Sequence, residues 1–151
     1  MASTGPFRRK IDGARANGYW GKGAGSGPWF MGDFEAGVWA GGSGAANAVN
    51  NNLPSSNVDY AFGILKTTST SSASTYAIRV GNAQSGGLTT GYDGAAPKVL
   101  RKSGAIILGI GGDNSNSSRG TFFEGVITSG RPSDATEDSV LKNVQAAKYG
   151  Q

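Results

Sequence analysis

The sequence contains no cysteine and no histidine. The first absence excludes disulfides and thiolate chemistry and leaves the redox compartment undetermined. The second removes the imidazole base, every histidine-containing nucleophile triad, and the usual zinc and haem ligand sets. A reaction site in this chain is therefore built from carboxylates, with tyrosine, lysine and backbone groups in support. Charged residues are sparse at 16%, and hydrophobic residues reach only 37%. Both values lie below ordinary globular averages. No apolar run is long enough to span a bilayer. The first 30 residues are basic and glycine-rich rather than a basic patch before an apolar stretch, so the chain as given carries no secretory signal.

Glycine is what the chain has in excess, 26 of 151 residues with no strict three-residue period. That excludes collagen, and glycine this dense is not tolerated by a coiled coil or helical bundle. The size, 15.3 kDa, allows one domain with a modest core. The net charge of +4 sits at the N-terminus, where Arg8, Arg9, Lys10, Arg15 and Lys22 face only Asp12; the remainder is balanced. A basic arm can contact nucleic acid or an anionic membrane. Because the body has no matching basic stripe, a solvated, flexible terminus is the expected reading.

Residues 1–28 read as a loose leading segment. Trp29 to Trp39 reads with period two, placing Trp29, Met31, Asp33, Glu35, Gly37 and Trp39 on one face and Phe30, Phe34, Ala36 and Val38 on a core face. A long Gly/Ala/Ser/Asn loop follows from Gly41 to Asn57. Tyr60–Thr67 and Tyr76–Val80 read as a hairpin turning at Ser69–Ser74. A second glycine-rich loop covers Gly81 to Lys98, a buried strand Ala105–Ile110, a polar loop 111–116, and a further strand Phe122–Thr128. The tail predicts one helix of three to four turns from Asp134 to Tyr149. Its signals are a capping-box spacing of Asp134 and Glu137, a Val140/Val144/Ala147 stripe and Gly150 as stop.

Asp33 and Glu35, two apart on a strand, would point the same way with side chains roughly 6–7 Å apart. That suits either a solvated strand face or one catalytic and one substrate-binding carboxylate. Flanking Trp29 and Trp39 favour the second, since a rigid apolar ring stacks on a sugar C–H face and raises the pKa of a neighbouring acid. Asp113 follows the apolar run after two glycines and reads either as an Asx-turn or as a rigidly held acid at a loop opening. The D-N-S-N string lacks the Gly and Glu of a calcium-binding EF-hand, and the glycines before it lack the ending of a P-loop. Tyr60, Tyr76 and Tyr92 fit a carbohydrate surface or strand edges equally, and Glu124 is open between a supporting and a solvent-facing role.

At GSGPWFMGDFEAGVWAGG and at SGAIILGIGGDNSNSSRGTFFEGVITSGRPSDAT the chain resembles the catalytic domain of glycoside hydrolase family 54. The resemblance runs from about Trp20 to Tyr149 and corresponds to the C-terminal half of that domain. It implies an all-β, concanavalin-like (laminin G-like) two-sheet β-sandwich, here partial, with a C-terminal helix, and a division into a basic segment 1–19 and a domain 20–151. It also implies a retaining α-L-arabinofuranosidase that releases terminal arabinofuranose from arabinoxylan or arabinan, with a non-catalytic carbohydrate-binding or vestigial module as the alternative. Residue by residue, Glu35 matches the nucleophile and Asp113 the general acid/base. Asp33 matches a substrate-binding acid, Trp20 an aromatic shaping the furanose pocket, and Gly112 a backbone contact beside the acid/base. The sequence departs from the family at Ala36, commonly a substrate-binding Asn, and has no adjacent cysteine pair.

The resemblance further implies an extracellular protein with no cofactor and no metal. Its expected partner is an arabinose-containing polysaccharide or oligosaccharide, with no specific nucleic acid and no membrane. Self-association is expected as well. A half sandwich leaves apolar strand faces without their normal cover, and glycine increases the entropy lost on folding while adding little core volume.

Overall fold

A computed structural model describes residues 3–4, 20–34, 37–70, 72–99 and 121–151. Among the described residues six strands, β1 (Ser3–Thr4), β2 (Gly32–Asp33), β3 (Val38–Trp39), β4 (Ala61–Ser69), β5 (Ser74–Asn82) and β6 (Thr89–Ala95), precede one helix, α1 (Asp134–Ala146). They form a four-stranded antiparallel sheet in the order β1-β4-β5-β6 and a two-stranded antiparallel pair β2-β3. The expected all-β architecture with a C-terminal helix is what the chain adopts.

The β4–β5 hairpin follows from alternation in the sequence. Register runs from Ala61↔Asn82 to Ser69↔Ser74, and the turn closes through Thr70, whose N–H donates to Ala73 O at 2.7 Å. Opposed residues share a face, so Leu65 and Thr67 lie beside Ile78 and Tyr76, whereas Phe62, Ile64 and Lys66 lie beside Gly81, Arg79 and Ala77. On the first face Tyr76, Ile78 and Val80 pack against Phe34, Trp39 and Leu53, which brings β2 and β3 over the sheet. Phe34 meets Tyr76 edge-on at 4.7 Å between centroids and Trp39 at 5.7 Å. Burying each such large side chain stabilises by about 1.5–3 kcal/mol.

Helix α1 closes the second face. Ser133 is its N-cap and accepts from Thr136 N–H through Oγ at 3.2 Å. The cap is therefore Ser133 and not the expected Asp134–Glu137 box, because Glu137 turns inward. Leu141 and Val144 pack on Phe62, Ile64 and Ala83. One turn earlier, buried Glu137 reaches Arg79 Nη1 at 2.9 Å and Lys66 Nζ at 3.0 Å, while Asp134 and Asp138 close the cluster from the rim. The Lys66 hydrogen bond holds the Asp134 carboxyl below its ordinary range, with Arg79 assisting. Burial alone would lower the Arg79 pKa, but the Glu137 hydrogen bond and the neighbouring carboxylates outweigh it and raise the pKa. The helix ends before Gly150, at Ala146 with Ala147 as its C-cap, and Gln145 Nε2 fastens that end to Asn82 O and Gly86 O.

Four expectations change. Trp29–Trp39 is not one strand: the chain doubles back between Phe34 and Gly37, pairing Gly32 with Trp39 and Asp33 with Val38. Trp39 thereby joins Phe34 in the core instead of the acidic face. The Gly81–Lys98 loop contains β6, whose glycines serve close approach: a Cβ on Gly91 would press on Leu53. Between the Ile78↔Tyr92 and Arg79↔Thr90 pairs, Gly91 is an extra residue, a β-bulge. Residues 122–128 form no strand; the F-F-E-G-V-I pattern is apolar on both faces, and Phe122, Phe123, Val126 and Ile127 remain 39–44% exposed. The expected strand Ala105–Ile110 lies outside the described residues.

Candidate functional site

Two of the five predicted site residues meet at Val38. Asp33 pairs with Val38 across β2–β3, and Trp20 forms a parallel bridge to the same residue from the other side. The Gly21 N–H donates to Val38 O at 2.6 Å. In-register neighbours project to one side of a pleat, so Trp20 and Asp33 flank Val38 on a common face, with strand axes about 10 Å apart. Asp33 is exposed and Trp20 half-buried, while Val38 between them is buried. An aromatic edge and a solvent-facing carboxylate on one ribbon suit a sugar, offering a C–H stacking surface and a hydroxyl acceptor.

The ribbon continues one strand further. Lys22 bridges to Val49, its N–H donates to Ala48 O at 3.2 Å, and Asn50 N–H donates back to Lys22 O at 2.8 Å. Glycine permits this packing at Gly21, where a Cβ would sit 2.7 Å from Ala40 N. Beside the ribbon, Trp39 Nε1 donates to Gly44 O at 3.1 Å, and Trp29 Nε1 to Ala24 O at 2.7 Å. Both indoles are thus fixed by the loop carbonyls that surround them.

Glu35, Gly112 and Asp113 lie outside the described residues. Phe34 and Gly37, either side of Glu35 in the chain, are joined by a 3.0 Å backbone hydrogen bond. Of the three tyrosines left open between a carbohydrate surface and strand edges, Tyr76 is fully buried and donates to Gly42 O at 2.8 Å, and burial pushes its hydroxyl pKa well up. Tyr92 packs against it with its ring tilted by 40° at 4.6 Å between centroids, and its own pKa rises through burial and then the Asp93 charge. Tyr60 instead stacks with Tyr149 and meets Phe123 at a tilt. Glu124 is exposed, in keeping with the solvent-facing reading, and accepts from Tyr149 Oη at 2.8 Å, which raises the Tyr149 pKa. Among the described residues no three carboxylates converge as a metal set, and no helix is long and apolar enough to cross a membrane.

The family model described as "Alpha-L-arabinofuranosidase B, catalytic" matches residues 12–150. A probable alpha-L-arabinofuranosidase B of Aspergillus fumigatus is 51% identical over 138 residues, 88% of this chain and 26% of that protein. An alpha-L-arabinofuranosidase of Hypocrea jecorina is 50% identical over 135 residues, with 86% and 26% covered. The crystal structure of an arabinofuranosidase complexed with arabinofuranosyl-alpha-1,2-xylobiose is 46% identical and superposes with a TM-score of 0.74, covering 87% of this chain and 27% of that one. A GH54 arabinofuranosidase soaked with a cyclic sulfate inhibitor gives 44% identity, a TM-score of 0.73 and the same coverage. The chain spans about a quarter of the length of the curated relatives it matches. By its sequence across nearly its whole length, and by the β-sandwich it shares with these structures, the chain belongs to the catalytic-domain family of α-L-arabinofuranosidase B, glycoside hydrolase family 54.

Proposed function

We propose that residues 20–151 act as a retaining α-L-arabinofuranosidase on arabinoxylan or arabinan outside the cell, with residues 1–19 as a basic leading segment. The observation that supports this reading is the register about Val38, with Trp20 and Asp33 on one face; in the proposal these two are walls of the sugar site. The arabinofuranosyl-xylobiose held by one structural relative supports a xylan-type substrate. In the proposed reaction Asp113 protonates the glycosidic oxygen while Glu35 attacks the anomeric carbon, expelling the aglycone and forming a glycosyl ester. Asp113, now a carboxylate, takes a proton from water; the water oxygen attacks the same carbon and releases Glu35. Two carboxyl groups about 5–5.5 Å apart perform this double displacement. Gly112 would present its backbone to the substrate beside the acid.

Release of a chromogenic arabinofuranoside tests the proposal. E35A is expected to cost at least about a thousandfold in kcat; equal rates for wild type and E35A would remove Glu35 from the mechanism. Ala36, at a position where the family commonly has a substrate-binding Asn, favours a second reading, sugar binding without turnover. Calorimetric heat with arabinoxylan oligosaccharide and no released sugar would select it. Exposed Phe122, Phe123, Val126 and Ile127 support self-association. Light scattering that stays at the monomer mass across a concentration series would count against that part.

A further inference from the structure

Asn50 lies in a Gly/Ala/Ser/Asn loop, and nothing in the sequence separates it from Asn47, Asn51 or Asn52. Its surroundings do. The side-chain amide donates both to Ala40 O and to Gly91 O, each at 2.9 Å, while Oδ1 accepts from Asn52 N–H at 3.0 Å. Its backbone N–H donates to Lys22 O at 2.8 Å. These four bonds join three chain segments. Ala40 is two residues beyond Val38, and Lys22 two beyond Trp20, so Asn50 ties together the two strands that carry the Trp20–Val38–Asp33 register. Gly91 is the bulge residue of β6, and its carbonyl, taken up by Asn50, anchors the ribbon to the four-stranded sheet. The fit is close: a Cβ on Gly41 would run into the Asn50 amide nitrogen.

We propose that Asn50 is a positioning residue of the sugar site, setting the Trp20–Val38–Asp33 ribbon at a fixed height over the main sheet by holding Ala40 O and the bulge carbonyl of Gly91 with one amide. The proposal rests on the reading of Trp20 and Asp33 as sugar contacts. Only a group with two N–H donors on one nitrogen serves both carbonyls, and Asn supplies them on a short, planar side chain. Asp keeps the volume and the bond to Asn52 N–H but loses both donors.

The test uses the full chain with two independent substitutions, N50D, which removes the donors, and G41A, which displaces them without altering Asn50. Amide hydrogen exchange, read residue by residue well below the melting temperature, is expected to quicken at Gly21 by at least about tenfold in both. Exchange at Ile64 and Ile78, in the centre of the sheet, should hold. Calorimetry with an arabinoxylan oligosaccharide should show Kd raised about tenfold for the loss of the donor pair. If the chain turns over arabinofuranoside, KM should rise more than kcat falls. Unchanged exchange at Gly21, or equal acceleration throughout the sheet, overturns the positioning role. Loosening at Gly21 with an unaltered Kd likewise overturns it, since the ribbon would then not set the site. A wild-type chain that binds no sugar defeats the sugar reading itself, and this proposal with it; a wild type that binds as N50D does defeats Asn50 alone.

Discussion

Over one face of the four-stranded sheet lies a single capped helix; over the other lie β2, β3 and the loops between residues 20 and 53. The helix face is self-contained. It has a regular element, an apolar half around Leu141 and Val144, and an ionic half in which Lys66 and Arg79 meet Glu137. Among the described residues the loop face has no regular element longer than two residues; Phe34, Trp39 and Leu53 pack it on the sheet, and single hydrogen bonds such as Gly21 to Val38 and Asn50 to Gly91 set how its segments lie. Site candidates Trp20 and Asp33 both sit on this second face. Loops carry function where a rigid scaffold holds them, and here the helix-backed layer is that scaffold. A fault under the helix should therefore appear as lost stability, and a fault under the loops as lost binding.

The sharpest way to break this comparison is E137A, which leaves two buried cations facing each other without their shared carboxylate. It is expected to cost about 3–5 kcal/mol in urea unfolding at pH 7 while the surviving folded fraction binds sugar with wild-type affinity. Loss of affinity in the folded fraction would join the two faces into one functional unit. Next in size is L53A. Leu53 is fully buried against Gly91 on the loop face. A cost of about 2–4 kcal/mol is expected, since loops partly collapse into the gap, accompanied by weakened sugar binding that E137A does not produce. The smallest effect concerns acid. Asp134 has its pKa depressed in the folded state, so its contribution is present above the unfolded value near 4 and fades as pH falls through the folded value. Its side chain is 61% exposed, so screening keeps the effect below about 1 kcal/mol. D134N should lower stability at pH 7 by that amount and flatten the stability profile below about pH 4; parallel profiles for the two proteins would exclude the Lys66 bond as its source.

The hairpin and the helix were legible because their own residues carry the pattern. Alternating Phe62, Ile64 and Lys66 oppose Gly81, Arg79 and Ala77, and the tail has helical spacing. The expected Val140/Val144/Ala147 stripe is corrected to a buried row of Glu137, Leu141 and Val144, with Val140 half-buried and Ala147 exposed. Even there, Glu137 is ambiguous in the sequence, because a capping box and a buried ion pair place the same residue at the same position. β6 was not legible, since T-T-G-Y-D-G-A is poor strand sequence and pairs only because β5 and Leu53 hold it. The Trp29–Trp39 alternation misleads for a local reason: the chain doubles back between Phe34 and Gly37, and Trp39 pairs with Gly32 on the core side. Within the candidate site, local pattern offered Asp33 as one of two equal readings, and the family resemblance selected Trp20. Asn50 was invisible, because its partners Ala40 and Gly91 are joined to it by folding and not by spacing.

The bulge at Gly91 gives β6 a change of phase. Tyr92 lies in register with Ile78, toward the aromatic core, whereas Thr90, two residues earlier, lies in register with Arg79 and accepts its Nε–H at 3.2 Å. In an unbroken strand those two side chains would share a layer. One glycine thus lets a seven-residue strand serve two different interiors, a dry one and a charged one. The strand is keyed as a result: sliding it by one residue against β5 would turn Thr90 into the aromatic layer and Tyr92 toward the Arg79 guanidinium, so a single alignment satisfies both sides at once.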